Sequence, residues 1–294
     1  MADKSGRGAG ELLGGYQFCD LERLALWRER IEAHAYRSGL KGTVLLAREG
    51  INFSLSGSPT ALDEWLDWID SRLGCSAPVI NRQPVEETPY LRLKVRVRDE
   101  IVTFDARVKP TPASRAEALS PVAWNALLKR EELQLVDARN EYEHRIGTFE
   151  GAVNSNTTSF TEFKSFCRNQ LDPARPVAMF CTGGVRCEKA GAWLKERGFP
   201  EVFQLHGGIL GYIAAMPVEA SHWRGECFVF DDRVSVDAAL EPTGRLVCRG
   251  CRRPAEGLDA AGIPPISAQG ECRLCDEVFD SARLDRLRER SRQV

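Results

Sequence analysis

Little in this 294-residue chain points to a membrane, a secreted framework or a bound organic cofactor. No apolar run approaches the roughly 20 residues that a membrane-spanning helix needs, so no membrane partner is expected. The N-terminus has no signal-type hydrophobic stretch. Histidine occurs only four times, as His34, His144, His206 and His222, with no metal-ligand spacing among them. No flavin, nicotinamide or haem motif is present, so no organic cofactor is expected. The net charge of −2 makes no whole-chain case for nucleic acid, and any such case must rest on local patches. Ten cysteines do not amount to a disulfide framework, because four fall in CxxC pairs and one in a glycine loop. A reducing cytoplasm fits that usage. What is present, 43% hydrophobic and 28% charged residues, supports two domains with real cores and a small appendage.

The chain is organised around Cys181-Thr182-Gly183-Gly184-Val185-Arg186-Cys187-Glu188-Lys189-Ala190. The apolar run 177–180 before it reads as a buried strand, and 191–198 after it as a helix stopped by Gly198. A strand, a loop and a helix in that order place Cys181 at the carboxyl end of a parallel strand, facing a helix N-terminus that favours negative charge. Gly183 and Gly184 let the loop curl so that its N–H groups form an anion nest, and Arg186 adds a full positive charge. Thr182, Gly183, Gly184, Val185 and Arg186 thus make an anion cradle around a thiol expected to be largely thiolate. The bland alternative is a buried structural cysteine beside an ordinary turn.

Read in order, residues 1–15 are rich in Gly, Ala and polar side chains and are expected to be disordered. Strands near 16–19, 43–47, 51–56, 78–81 and 91–97 and helices over 21–38 and 59–73 follow the ferredoxin-like split pattern, giving a domain over 16–105. In its last strand Leu91, Leu93, Val95 and Val97 alternate with Arg92, Lys94, Arg96 and Arg98. Period two puts the aliphatics on the core and the cations on one outer face. Four cations over ~20 Å, at ~3.3 Å per residue, match several phosphates of a nucleic acid, or they line an ordinary solvated face. Residues 106–118, with Pro110 and Pro112, read as a linker. Strands then alternate with helices over 119–222, the mark of a parallel α/β sheet.

Four residues separate Cys181 from Arg186, one fewer than in Cys-dependent phosphatases of similar layout, and this resembles the rhodanese active-site loop. The resemblance covers the whole of 119–222, through Asp137-x-Arg139, Glu143, Gly147, Gly151-Ala152 and Leu205-His206-Gly207-Gly208-Ile209; Thr148 stands where many members have histidine. The longer motif from Cys181 to Ala190 is more specific. Together with Arg48-Glu49-Gly50-Ile51-Asn52 and Phe228-Val229-Phe230-Asp231-Asp232-Arg233 it resembles the oxygen-dependent tRNA uridine hydroxylase family. The resemblance implies hydroxylation of the wobble uridine, position 34 of certain tRNAs, to 5-hydroxyuridine. It also implies molecular oxygen as co-substrate, Cys181 as the essential cysteine and the anticodon arm as partner of the basic strand. The alternative is a rhodanese-type sulfurtransferase carrying a persulfide on Cys181.

Residues 223–294 form an extension with two CxxC pairs, Cys248/Cys251 and Cys272/Cys275, twenty residues apart. Four thiolates at this spacing suit a structural zinc, and the intervening segment has too little apolar content to fold unaided. Arg283, Arg286, Arg288, Arg290 and Arg292 crowd the end as a basic tail or a solvated helix. Cys187 reads equally as a resolving thiol for Cys181 or as a packing residue, while Glu49 and Asn52 read as turn formers on residue type, the alternative being contact with tRNA or a neighbouring domain. The expected fold is thus a multidomain α/β and α+β chain. It has an N-terminal ferredoxin-like domain, a central rhodanese-like α/β domain and a small C-terminal zinc-type module with four cysteine ligands.

Overall fold

The computed structural model of the chain describes residues 10–74, 78–248, 253–255, 272 and 278–291. The first unit contains β1 (Gly10–Phe18), α1 (Leu24–Arg37), β2 (Lys41–Ala47), β3 (Gly50–Gly57), α2 (Pro59–Leu73), β4 (Val79–Val85) and β5 (Leu93–Val97). Its sheet runs β4-β1-β3-β2-β5; β5 is a fifth, edge strand, parallel to β2. The helices cover one face, where Leu13, Val44, Leu46, Ile51, Phe53, Leu55, Trp65 and Val95 close a core. α2 shows why it starts where it does: Ser58 caps the Ala61 N–H at 3.3 Å with Pro59 at the first helical position, and Gly74 ends it in the left-handed conformation (φ 65°).

Two expectations are corrected here. Residues 10–15 belong to β1, because they pair with β3 on one side and β4 on the other; residues 1–9 lie outside the described residues. Of the four aliphatics assigned to the core of the basic strand, only Val95 is buried and Leu93 half-buried, whereas Leu91 is 89% exposed. The strand begins at Leu93, two residues later than the alternation indicates, and as an edge it lacks a neighbour to cover its ends.

The second unit is built on a five-stranded parallel sheet, β6-β11-β10-β7-β9. Its elements are β6 (Glu117–Leu119), α3 (Pro121–Leu127), β7 (Gln134–Asp137), α4 (Glu141–Ile146), β8 (Gly147–Phe149), β9 (Val153–Asn154), α5 (Phe163–Gln170), β10 (Val177–Phe180), α6 (Val185–Lys195), β11 (Val202–Leu205) and α7 (Gly208–Ala215). All four residues of β7 and of β10 are buried, as strands covered on both faces must be. The connection expected as a linker is packed into the fold: Val108 and Ala116 are buried and Phe104 sits edge-on to Trp193 of α6. Gly191 makes this approach feasible, since a Cβ there would lie 2.6 Å from the Ala116 methyl. After α7 the chain returns as β12 (Trp223–Gly225), β13 (Cys227–Phe228) and β14 (Ser235–Val236), and α8 (Ser281–Ser291) carries the arginine-rich end. Of the proposed zinc ligands, Cys248 and Cys272 are fully buried, and Cys251 and Cys275 lie outside the described residues. Among the described residues no helix is long and apolar enough to cross a membrane.

Candidate active site

β10 ends at Phe180, so Cys181 stands at the carboxyl edge of the central strand of the parallel sheet. α6 begins at Val185, six residues before the stretch read as helical from sequence, which places Arg186 and Cys187 in its first turn. Gly184 takes φ 103°, a value that favours glycine, and its N–H donates to Cys181 Sγ at 3.2 Å. The loop is held from outside as well. Gly208 (φ 64°) lies so close that a Cβ would come within 2.5 Å of the Cys181 carbonyl, and Ile209 N–H donates to that carbonyl at 2.9 Å.

Burial alone pushes the Cys181 thiol up. The Cys187 thiol donating to it, the Arg186 charge and the backbone N–H groups of Cys187 and Gly184 outweigh that effect and bring it down to about 6. Cys227 shows the contrast: burial without such donors pushes it up to about 12. Cys187 itself is raised well above an ordinary thiol by burial and by the Cys181 thiolate. The opposite directions make Cys181 the more acidic thiol of the pair and cast Cys187 as its hydrogen-bond donor, a role beyond the two read from sequence. Replacing Cys187 with alanine should raise the midpoint of thiolate absorbance of Cys181 by about one to two pH units, since a hydrogen bond to a charged group contributes about 1.5–3 kcal/mol. Cys187→Ser should keep it low. An unchanged midpoint in the alanine variant would remove the donor role.

The anion-cradle residues are not all free to face a ligand. Val185 packs against the Tyr16, Phe18, Ala47 and Ile101 cluster of the first unit. Arg186 is buried and gives both terminal nitrogens to Glu143, at 2.7 and 2.8 Å, and a third contact to the Thr182 hydroxyl at 3.3 Å. Its charge reaches Cys181 through space rather than through a contact. Glu143 lies on α4, whose start is fixed by the Asn140/Glu143 capping box. Beneath this pair, Asp137 binds Arg139 in two hydrogen bonds (2.9 and 2.6 Å), with His144 and Thr148 each at 3.1 Å. Burial would raise the Asp137 carboxyl, but the Arg139 charge and the hydrogen bonds from His144 and Arg139 hold it down at about 2. Thr148, in the position where many rhodaneses have histidine, thus acts as a hydroxyl partner of Asp137.

α6 also carries Glu188 and Lys189, both buried. Glu188 accepts from Tyr16 of β1 at 2.9 Å and pairs with Arg115 at 2.8 Å. Lys189, fully buried, donates to both carboxylate oxygens of Glu49 at 2.9 and 2.7 Å and also pairs with Glu100. Glu49 in turn accepts from the Ile101 N–H at 2.8 Å, and Asn52 donates to the Ile101 carbonyl at 3.2 Å. The Arg48–Asn52 motif is therefore a clasp between the two units, through Glu49 to Lys189 of the helix that follows Cys181. Asn81 of β4 adds a further tie, donating to the Gly207 carbonyl at 3.0 Å.

Sequence reasoning missed Tyr16, Asn81, Glu100, Arg115 and the partner of Lys189. The available signal was three charges at 186, 188 and 189 in the otherwise apolar stretch 185–194, with no opposite charge one turn away on the same face. Such charges need partners elsewhere. Phe230 is the other omission: it is 67% exposed and its ring lies 5.7 Å from Arg186 Cζ.

Arg92, Lys94, Arg96 and Arg98 are all exposed, and none of them joins the buried cluster around Cys181. The register places them relative to it. Arg96 lies beside Leu45, then Asn52, then Tyr16, and Lys94 lies beside Thr43, Ser54, Gly14 and Asn81. Lys94 and Arg96 thus share the sheet face, opposite the helices, on which Tyr16 and Asn81 meet the loop; Arg92 and Arg98 lie just outside β5. At ~4.8 Å per strand, Arg96 is three strands, or ~14 Å, from Tyr16.

The first unit, residues 11–101, matches the UPF0176 acylphosphatase-like domain, and residues 120–215 match the rhodanese-like domain. Proteins named tRNA uridine(34) hydroxylase align along nearly the full length. The one from Bartonella quintana is 39% identical over 284 residues, covering 95% of this chain and 92% of that protein. Those from Bartonella bacilliformis and Mesorhizobium japonicum are each 40% identical and cover 95% of this chain and 92% and 91% of their own. The chain belongs to the tRNA uridine(34) hydroxylase family. The three motifs that carried the resemblance meet in one place in this family member. Cys181–Ala190 forms the loop and α6, Arg48–Asn52 clasps α6, and Phe228–Arg233 borders Arg186 and Thr182.

Proposed function

We infer that this protein is an enzyme that hydroxylates uridine 34 of tRNA, with Cys181 as its catalytic thiolate. The family membership supports the reaction and substrate. The observation that carries the catalytic assignment is the Cys181 sulfur, brought down to about 6 in a fully buried site. A thiolate is the nucleophile that uracil chemistry requires.

In the proposed sequence Cys181 Sγ bonds to C6 of uracil, and the C5–C6 electron pair moves toward the C4 carbonyl as an enolate. The electron-rich C5 then takes one oxygen atom from molecular oxygen. Loss of the C5 proton and expulsion of the thiolate restore the double bond, leaving 5-hydroxyuridine and regenerating Cys181. The second oxygen atom leaves as water, which consumes two electrons and two protons from a thiol-class reductant. The Gly184 N–H and the Arg186 charge stabilise the thiolate on its return as leaving group. Cys181 has no exposed surface, so the loop around it must open for the base to reach it.

The partner is the anticodon arm, whose loop presents an unstacked base. Supporting this, Lys94 and Arg96 of β5 share the sheet face that leads to Tyr16 and Gly184, and Arg92 and Arg98 flank them in sequence, both exposed. Replacing Arg92, Lys94, Arg96 and Arg98 together by glutamine should weaken tRNA binding at low salt by roughly tenfold or more and flatten its salt dependence. Binding that keeps its affinity and salt slope would remove this face from the proposal. The four tail cysteines are proposed to hold a structural zinc; their spacing and the burial of Cys248 and Cys272 support it, and metal analysis of the purified chain tests it. A reducing cytoplasm, which keeps Cys181 a thiolate, is the proposed setting.

Nucleoside mass spectrometry of tRNA from cells lacking the protein tests the function. Loss of 5-hydroxyuridine and its return on complementation are expected. If 5-hydroxyuridine persists while a thiolated nucleoside falls, the protein is a sulfurtransferase that carries a persulfide on Cys181.

A further inference from the structure

Phe230 differs from its neighbours in the run Phe228–Arg233. Phe228 and Val229 are buried, and Phe230 is 67% exposed. Exposure here does not come from a loose loop. The Thr182 hydroxyl lies 3.4 Å from the Phe228 carbonyl, and Phe228 packs edge-on to Tyr142 at 5.3 Å. The Val229 N–H donates to Val234 O at 2.9 Å. Arg233 donates twice to Asp231, at 2.9 and 2.8 Å, and once to Gln83 of β4 at 3.0 Å. The Asp232 N–H donates to Pro89 O at 3.1 Å. The segment is thus fixed to both units, and between its anchors it holds an aromatic ring in water. That ring lies 5.1 Å from Phe228 and 5.7 Å from the guanidinium of Arg186, five positions after the reactive cysteine.

Nothing in the packing requires an aromatic side chain that is two-thirds exposed. A ligand with a π face would cover it. We propose that Phe230 is a stacking platform for the nucleobase next to the target uridine in the single-stranded RNA loop; this rests on the hydroxylase reading and adds a positioning residue to it. The target base cannot be the one stacked there, because its C6 must reach a sulfur that is wholly buried. Drawing that base inward breaks its stacking on its neighbour, which is unfavourable unless something replaces it. A fixed aromatic ring beside the entry replaces the lost stacking on the neighbour that stays outside. Arg186, paired with Glu143 beneath one face of the ring, holds the ring by a cation–π contact. Because every base has a π face, the platform accepts any neighbour, and it sets the position of the loop rather than its sequence.

The test uses the full-length protein and an anticodon stem-loop RNA carrying 2-aminopurine on either side of the target uridine. Wild type should quench the probe at one of the two positions on binding. Phe230→Ala should abolish the quench, weaken binding by about tenfold and raise KM for hydroxylation correspondingly. Phe230→Trp should retain quench and affinity, whereas Phe230→Leu, apolar but without a π face, should behave as the alanine variant. The Cys181 thiolate midpoint, read on each variant, shows that the site itself is intact. If Phe230→Leu binds as wild type does, or if the quench survives in Phe230→Ala, the platform is overturned while the hydroxylase reading stands. If wild type neither binds the stem-loop nor hydroxylates it, both fall.

Discussion

Cells that carry Cys181→Ser in place of the wild-type chain should have no detectable 5-hydroxyuridine or derivative in their tRNA. The exchange is nearly isosteric, and the new hydroxyl can still take the Gly184 N–H bond that now runs to sulfur at 3.2 Å. The loop and fold are therefore retained, and melting should change little. What is lost is the charge. The surroundings that bring a thiol down to about 6 leave a serine hydroxyl, whose ordinary value is many units higher, fully protonated. Loss of a nucleophile costs roughly a thousandfold or more in rate, so the nucleoside should fall to background. Activity of the wild type should plateau above about pH 6 and decline below it, because the thiolate is protonated as pH falls through that value. Restoration of 5-hydroxyuridine by the serine variant would show that Cys181 is not the catalytic group.

The second large effect concerns the clasp. Lys189 is fully buried, and its ammonium is the partner of Glu49 and Glu100 together. Lys189→Met removes the one cation and leaves two carboxylates facing each other at a junction closed to water. Breaking a buried pair from one side typically costs about 3–5 kcal/mol, because the remaining charge is left uncompensated. At roughly 2–4 °C per kcal/mol for domains of this size, the melting temperature should drop by about 10 °C. Glu49→Gln in the Lys189→Met background should recover part of the loss, since it removes one of the stranded charges. A double-mutant cycle measures that coupling. A Lys189→Met protein that melts within a degree or two of wild type would mean that the clasp contributes nothing to stability. The same variant should reduce activity as well, because α6 carries Arg186 and Cys187 and its seating sets their distance from the thiolate.

Sequence and structure agree where the signal is short-range. The 177–180 run predicts the strand that the parallel sheet buries, and the glycines after Cys181 predict the turn that Gly184 makes at φ 103°. Within β5 the alternation puts Lys94 and Arg96 on the face opposite Leu93, Val95 and Val97, since period two is local. It fails at the ends of β5, where Leu91 is exposed, because burial there depends on a neighbouring strand that an edge does not have. The glycine-rich start looks disordered by composition, yet residues 10–15 pair on both sides once β3 and β4 are in place. Composition describes the isolated chain and is silent on partners supplied later.

Read alone, the order of residues specifies the cysteine loop and its length, the two principal units and the family, because these rest on near neighbours and on motifs legible in one dimension. The charges of α6 acquire their roles only in the folded protein. Arg186 meets Glu143 at a separation of 43 residues, and Lys189 meets Glu49 at a separation of 140. The packed site alone makes Cys187 a proton donor to Cys181, and the crossing of two anchored segments leaves Phe230 exposed beside Arg186. The physical reason is common to all three. Helix and strand periods express contacts within a few residues, whereas burying a charge is favourable only when its counter-charge arrives from another part of the chain.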